Sequence, residues 1–83
     1  MNIRYWGTNP SRDSVLLEKL KTLGAERSTP LEIEYIDVLS HIDRAALEQV
    51  YVTPSVDRLD PKPILRLISI SMDAEEVFKR LLE

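Results

Sequence analysis

The chain has 83 residues, of which 43% are hydrophobic and 30% charged, so it is long enough for one globular domain but not for two. It has no cysteine and a single histidine, which excludes disulfide bonds, thiol catalysis and metal sites built on thiolates or on several histidines. A net charge of −3 disfavours nucleic acid as the main partner, because phosphate binding requires clustered positive charge.

The chain begins with a short apolar segment followed by a long amphipathic one. Residues 2–6 are apolar and aromatic enough for a first β-strand, and turn residues follow. Asn9 or Ser11 is the predicted N-cap of the next helix, with Pro10 in its first turn and Gly24 as its stop. The apolar side chains of this helix recur at helical spacing: Val15, Leu16, Leu20 and Leu23.

Residues 31–39 predict a second strand with one wet face. Glu32 and Glu34 alternate there with apolar side chains, which is the period of two that a half-buried strand shows. The last four residues, 36–39, are nearly all apolar, so we expect the strand to run deeper into a sheet at this end. His41 follows in SHID, as an exposed residue of a loop or of a helix start.

The second half of the chain predicts a short helix and then a hairpin. Ser40 or Asp43 caps this short helix, which runs through Ala45, Ala46, Leu47 and Val50. Two extended segments, residues 55–59 and 64–69, flank a turn that contains two prolines, which indicates a β-hairpin.

The chain ends in an amphipathic helix. Ser71 or Asp73 is its predicted cap, and Lys79 and Arg80 lie late in the helix, where positive charge complements the helix dipole. The predicted apolar side chains are Val77, Phe78, Leu81 and Leu82.

The element order βαβαββα predicts an α/β thioredoxin-like fold over the single domain of residues 1–83. Its strand–helix–strand unit gives parallel neighbours, and the hairpin completes a four-stranded mixed sheet with helices on both faces. The second and fourth strands then lie at the two edges. In this fold the turn before the third strand commonly carries a cis proline, so we expect the Thr53–Pro54 bond to be cis; a trans proline that begins an edge strand is the alternative.

Catalytic chemistry has little support in the sequence. Redox proteins of this fold carry a cysteine pair after the first strand, but here the loop reads WGTNPS and has no thiol. A glutathione enzyme that uses Thr8, Ser11 or Ser14 is the alternative, although such enzymes normally add a helical second domain. We therefore predict no enzyme activity, no catalytic residue, no metal and no cofactor. No apolar run is long enough to span a bilayer, and no signal segment is evident, so we expect a cytoplasmic protein without membrane contact.

One long segment resembles the KaiB family. It reads IDVLSHIDRAALEQVYVTPSVDRLDPKPILRLIS, and the preceding RYWGTNPSRDSVLLEKL is similar to the start of that family, with additional residues before the helix. The matching positions are Ile36, Asp37, Val38, Leu39, Val52, Thr53, Pro54, Leu59, Pro61, Pro63, Arg66 and Ile68. The chain differs at residues 69–72, where SISM replaces a glycine-containing turn of the family, and we expect this difference to favour one settled thioredoxin-like fold.

The resemblance implies a non-catalytic interaction module in circadian or stress signalling. Its partner would be a KaiC-like ATPase or a signalling histidine kinase, or the chain would be a sensor domain of such a kinase; a homo-oligomer is also possible. The candidate partner-binding residues lie on the first loop, the second strand and the hairpin: Tyr5, Trp6, Asn9, Arg12, Glu32, Glu34, Arg58, Lys62 and Arg66. For several of them a structural role stays open: Trp6 as a core residue, the two glutamates as a guard against strand pairing, and the cations as a solvated face.

Overall fold

The computed structural model describes residues 1–68 and 73–83. Their helices and strands follow the predicted order. The elements are β1 (Asn2–Gly7), α1 (Pro10–Glu26), β2 (Glu32–Asp37), a 3-10 turn (Val38–Ser40), α2 (Ile42–Leu47), β3 (Ser55–Asp60), β4 (Leu65–Ile68) and α3 (Ala74–Leu81).

The four strands form one mixed sheet in the order β2-β1-β3-β4. β1 pairs in parallel with β2, as the crossover through α1 requires, and antiparallel with β3, which pairs antiparallel with β4. The second and fourth strands are therefore the edges, as the sequence predicts.

The helices cover both faces of the sheet, and each face has its own apolar cluster. Because side chains alternate along a strand, Tyr5 points towards α1 and α3 while Trp6 points towards α2. The larger cluster joins β-strand residues to the two long helices: Ile3, Tyr5, Leu16, Leu20, Val56, Leu67, Ala74, Val77, Phe78 and Leu81. The smaller cluster consists of Trp6, Ile36 and Ala45, with Val38 and Val50 against it. The face under α2 thus has much the smaller core.

The ends of α1 show why a glycine did not stop the helix. Asn9 is the N-cap and accepts a hydrogen bond from the Arg12 amide, as one of the two predicted alternatives has it. The helix continues past Gly24 to Glu26, and Ser28 takes the left-handed conformation with φ 55° instead. The amide of Thr29 then donates to the Gly24 carbonyl at 2.8 Å. A Cβ on Gly24 would lie 2.5 Å from the Thr29 carbonyl oxygen, so this glycine permits the close return of the chain.

The end of β2 and the start of α2 differ from the prediction. β2 stops at Asp37, whose carboxylate accepts from the Leu39 amide and begins the 3-10 turn in place of more strand. Leu39 is 67% exposed, so the expected deep strand end is wrong. α2 begins at Ile42 after an exposed His41, and neither predicted cap, Ser40 nor Asp43, occupies the N-cap position.

Two predicted apolar positions lie at the margins of their helices' buried faces. Val15 and Leu82 are 55% and 53% exposed, whereas their helical neighbours Leu16 and Leu81 are buried. Asp73 caps α3 through the amides of Glu75 and Glu76. The alternative cap, Ser71, lies outside the described residues, and so does the whole segment 69–72 in which the chain differs from the KaiB pattern. The peptide bonds that precede three prolines are cis: Thr53–Pro54, Asp60–Pro61 and Lys62–Pro63.

Candidate partner-binding surfaces

The β2 edge presents two carboxylates with different surroundings. Glu32 is exposed and forms no ion pair with another of the described residues. Glu34 accepts from Arg4 Nε at 2.8 Å and from Arg44 at 3.1 Å, so β1, β2 and α2 meet at this side chain. The hydrogen bond from Arg4 lowers the pKa of the Glu34 carboxyl, with a smaller contribution from Arg44. The edge thus has one carboxylate neutralised within the chain and one available to a partner.

Trp6 belongs to the core rather than to a surface. Its side chain is fully buried, and its Nε1 donates to Asp57 at 2.9 Å. The guanidinium carbons of Arg4 and Arg44 each lie 5.9 Å from the centre of its ring, a distance at which cations are attracted to the aromatic face. The sequence leaves two interpretations open for Trp6, a core residue or a partner-binding residue. In the structure it is a core residue.

Only some of the candidate partner-binding residues at the first loop are exposed. Asn9 and Arg12 are exposed, although the Asn9 side chain is engaged as the cap of α1. Tyr5 is fully buried, so the prediction that it contacts a partner is corrected. Its hydroxyl instead donates to a carboxylate on the helix that follows.

That carboxylate, Asp13, is fully buried at the start of α1. It accepts from the Tyr5 hydroxyl at 3.1 Å and from the Tyr35 hydroxyl at 2.8 Å, and Arg12 approaches it at 3.4 Å. The two tyrosine rings stack with their centres 5.6 Å apart. Gly7 leaves room for this group, because a Cβ there would overlap with Asp13 Oδ2. Burial, followed by the charge of Asp13 for Tyr5 and by its hydrogen bond for Tyr35, raises the pKa of both phenols well above the ordinary value of 10.0.

Alkaline pH is therefore expected to destabilise the fold. The unfolded chain loses its phenolic protons near the ordinary pKa of 10.0, while the folded chain retains them at Tyr5 and Tyr35. The stabilisation is fully present below pH 10 and is lost as pH rises through the folded-state pKa values. Urea unfolding between pH 8 and pH 11 measures the effect. Tyr35→Phe is expected to reduce the fall in the free energy of unfolding, and Tyr51→Phe, which makes the same change at a side chain that is 82% exposed, is the control. A wild-type free energy that stays constant across this range would contradict the expectation.

Arg58 is a second candidate that the structure places inside the protein. It is 5% exposed, and it donates to the Leu81 carbonyl at 2.7 Å and to the Pro63 carbonyl at 3.0 Å. Its charge thus lies at the C-terminal end of α3, where a helix favours a cation. Its Nε has no partner among the described residues. The prediction that Arg58 faces a partner is corrected: it fastens the hairpin to α3.

Arg66 is partly exposed, but its guanidinium forms hydrogen bonds within the chain. It binds the Asp57 carboxylate through Nε at 2.6 Å and through a terminal nitrogen at 2.9 Å. Its other terminal nitrogen donates to the carbonyls of Glu48 and Gln49 at 2.8 and 3.2 Å, which ties the end of α2 to β4. The hydrogen bonds with Asp57 raise the pKa of the Arg66 guanidinium, so this cation keeps its charge. Lys62, in the hairpin turn, is exposed.

The exposed candidates therefore separate into two surfaces. Asn9 and Arg12 lie near β2, since Arg12 contacts Asp13 and Asp13 contacts Tyr35 of β2. Glu32 and Glu34 border the same edge from the α2 face of the sheet, since Glu34 binds Arg44 of α2. We call these four residues, which flank the edge from its two faces, the β2 surface. Lys62 and Arg66 lie at the opposite edge of the sheet, so no single flat contact joins the two sets.

The structure also brings together residues that the sequence did not single out. These are Arg4, Asp13, Arg44 and Asp57. A signal existed for Asp13, because it shares a helical face with Leu16 and Leu20 at spacings of three and seven. No comparable signal existed for Asp57, whose partner Trp6 is 51 residues away.

Metal-binding clusters and membrane-spanning helices are both absent from the described residues. Residues 1–68 and 73–83 contain no group of three or more side chains of the metal-binding types placed to hold an ion. Among the same residues, no helix has the length and apolar character needed to cross a membrane.

The fold is similar to those of several solved structures, two of which are a domain of SasA and a thioredoxin. One is the N-terminal domain of SasA from Synechococcus elongatus, determined in solution: the TM-score is 0.72 at 16% identity, over 96% of this chain and 77% of that one. The other is thioredoxin 1 from the thermophilic eubacterium Thermosipho africanus, with a TM-score of 0.63 at 21% identity, over 99% of this chain and 91% of that one. The predicted thioredoxin-like fold is thereby confirmed. No family model and no curated protein matches the sequence.

Proposed function

We propose that this chain is a non-catalytic, KaiB-like interaction module that docks on a KaiC-like ATPase or on a signalling histidine kinase and modulates it. The observation that carries the proposal is the similarity of almost the whole chain to the N-terminal domain of SasA. It agrees with the sequence resemblance to the KaiB family over residues 36–69. A cytoplasmic location and a role in circadian or stress signalling belong to the same proposal.

The position at which redox proteins of this fold carry their chemistry supports a role without catalysis. The loop after β1 has no thiol, and the helix that follows it buries the Asp13 carboxylate under two tyrosines. The hydroxyl-bearing residues nearby, Thr8, Ser11 and Ser14, are exposed, and the Ser14 hydroxyl donates to the Ser11 carbonyl as an ordinary helix-start contact. None of these hydroxyls has a base beside it among the contacts of the described residues, as an activated nucleophile requires.

The β2 surface is the proposed docking site. An edge strand can accept a strand of a partner through its unpaired backbone groups, and side chains along the edge select which partner binds. Here the free carboxylate of Glu32 selects a segment with a basic residue, while Glu34 is held by Arg4 and Arg44. Asn9 and Arg12 extend the contact beyond the end of the strand.

Binding is tested with the purified ATPase and histidine kinase encoded in the same genome. We expect saturable binding by calorimetry to one of them and a loss of about tenfold or more in affinity for Glu32→Lys, since reversing an interfacial charge costs about 1.4 kcal/mol or more. Glu18→Lys makes the same charge change at an exposed position of α1 and serves as the matched control. If neither protein binds, the proposal is wrong. If Glu32→Lys and Glu18→Lys bind with equal affinity, the docking site lies outside the β2 surface.

The alternative function is a small glutathione-binding protein, which the similarity to a thioredoxin favours. Because Trp6 is fully buried, its fluorescence is a poor reporter of binding at the surface loop, and calorimetry or amide chemical shifts are the better measurements. Saturable micromolar binding of glutathione near Thr8 to Ser14 would replace the proposed function with this one.

A further inference from the structure

The face of the sheet that carries α2 is covered on one side and open on the other. α2 packs over β1 and β2, where Ala45 contacts the cluster of Trp6 and Ile36. At β4 the same face is open: Ile64, just before the strand, and Ile68, at its end, are 65% and 53% exposed. Both are two residues from Arg66, so the three side chains lie on the same face of the sheet. The Arg66 guanidinium identifies that face, because it binds Asp57.

Other apolar side chains border this open face. Leu47, Tyr51 and Val52 are 85%, 82% and 41% exposed. They are held near β4, because Arg66 binds the carbonyls of Glu48 and Gln49, and because the hydroxyl of Ser55, the strand partner of Ile68, donates to the Val52 carbonyl. We call Leu47, Tyr51, Val52, Ile64 and Ile68 the β4 surface. An exposed group of this kind, with a tyrosine among aliphatic side chains, has the composition of an interface core.

The charges at the two edges of the sheet distinguish the possible occupants. β4 reads LRLI, and its single charge, on Arg66, is neutralised by the two bonds to Asp57. An acidic or basic partner therefore finds no free counter-charge on the strand, whereas β2 carries the free Glu32. The occupant that matches β4 is an uncharged, apolar strand edge, and β4 itself is one.

We propose that the β4 surface binds a second copy of this chain, with the two β4 strands pairing antiparallel about a two-fold axis. Such an axis, perpendicular to the sheet, places each residue opposite one from the same face. Registers centred on Leu65 or Leu67 put Arg66 opposite the partner subunit's Ile64 or Ile68, so the two arginines do not face each other. The result is a closed dimer with a continuous eight-stranded sheet. Pairing of β4 with β2 of another copy would instead propagate without closing and would bury the charge of Glu32.

The dimer is independent of the proposed function, because the β2 and β4 edges lie on opposite sides of the sheet. The dimer can form even if no ATPase or kinase binds the β2 surface, and a partner can bind that surface even if no dimer forms. The two results are therefore obtained from separate measurements on the same protein.

Sedimentation velocity over a concentration series tests the proposal. We expect the mean mass to rise from that of a monomer towards twice that value between about 10 µM and 1 mM, since a strand edge with a small apolar border gives a weak interface. Ile64→Glu and Ile68→Glu are each expected to raise the dissociation constant about tenfold or more by burying a charge in that interface. Leu39→Glu and Ile42→Glu are the matched controls, since these side chains are 67% and 64% exposed at the other end of the α2 face.

Hydrogen exchange gives a second measurement that needs no variant. The outward amides of residues 65–68 are expected to become better protected as the wild-type concentration rises, while those of β2 stay unchanged. A mass that remains monomeric to about 1 mM overturns the proposal, because even a weak specific interface is populated at that concentration. A dimer lost in the Leu39 and Ile42 variants but kept in the Ile64 and Ile68 variants overturns it equally, by placing the interface on α2.

Discussion

Replacing Asp57 with alanine is expected to lower the free energy of unfolding by about 2 kcal/mol or more, because it removes the buried partner of an ion pair and the acceptor of a buried indole N–H. The Asp57 side chain is 3% exposed, and it binds both Arg66 and the Trp6 indole. Its loss leaves a guanidinium and an indole N–H without their acceptor. A small domain has only about 5–15 kcal/mol of total stability, so the variant is expected to be partly unfolded on warming. Urea unfolding followed by Trp6 emission measures the effect.

The partners of Asp57 allow a sharper form of this experiment. Arg66→Met alone also destabilises, because it leaves the buried carboxylate unpaired, but the double variant is expected to lose less than the sum of the two single losses. Asp43→Ala, at an exposed carboxylate on α2, is the control and changes stability by less than about 0.5 kcal/mol. A loss below about 1 kcal/mol for Asp57→Ala would show that solvent at the partly exposed Arg66 compensates for the missing carboxylate.

The same residues connect stability to the open face of the sheet. Arg66 is positioned by Asp57, and it in turn holds the end of α2 through the carbonyls of Glu48 and Gln49. Without Asp57 this connection is expected to loosen at the end of α2, while the hydrogen bond from Ser55 to the Val52 carbonyl remains. Part of the free energy that holds the β4 surface together thus comes from the Asp57 carboxylate, in addition to the hydrogen bond from Ser55 to the Val52 carbonyl.

The element order was predictable because each element has a local signal. The period of two in residues 31–35, the Asn9 cap and the helical spacing of Leu16 and Leu20 are all read from neighbouring residues. The boundaries that failed are those where a side chain competes with the backbone or where the chain returns on itself. β2 ends early at Asp37, whose carboxylate accepts from the Leu39 amide. Gly24 lies inside the helix that it was expected to stop, and the chain returns beside it so that the Thr29 amide donates to its carbonyl.

The candidate site was less predictable, because exposure depends on which strands become neighbours. Trp6 and Arg58 are a tryptophan and an arginine beside predicted turns, which is compatible with a binding surface. Their burial follows from contacts over 51 and 23 residues of sequence, with Asp57 and Leu81. Glu32 stayed exposed because β2 is an edge strand, and that much followed from the predicted topology.

The second large effect is expected at Asp13, where alanine lowers the free energy of unfolding by about 2–6 kcal/mol. The substitution leaves the hydroxyls of Tyr5 and Tyr35 without their acceptor, and each buried unpaired hydroxyl costs about 1–3 kcal/mol. Gly7→Ala tests the same group from the opposite side, since its Cβ would overlap with the carboxylate, and overpacking of this kind costs about 1–3 kcal/mol. Thermal and urea unfolding followed by circular dichroism measure both.

Removing the donors together with the acceptor separates this explanation from a simple loss of packing. In the triple variant Asp13→Ala, Tyr5→Phe and Tyr35→Phe, no polar group is left unpaired, so part of the lost stability is expected to return. If the triple variant is less stable than Asp13→Ala, the hydroxyls were not the source of the cost. If Asp13→Asn folds and binds the proposed partner with unchanged affinity, the Asp13 carboxylate has a structural role and does not contact the partner. The position where redox proteins of this fold keep their reactive groups would then serve here to fix α1 against β1 and β2, and the β2 surface would carry the function.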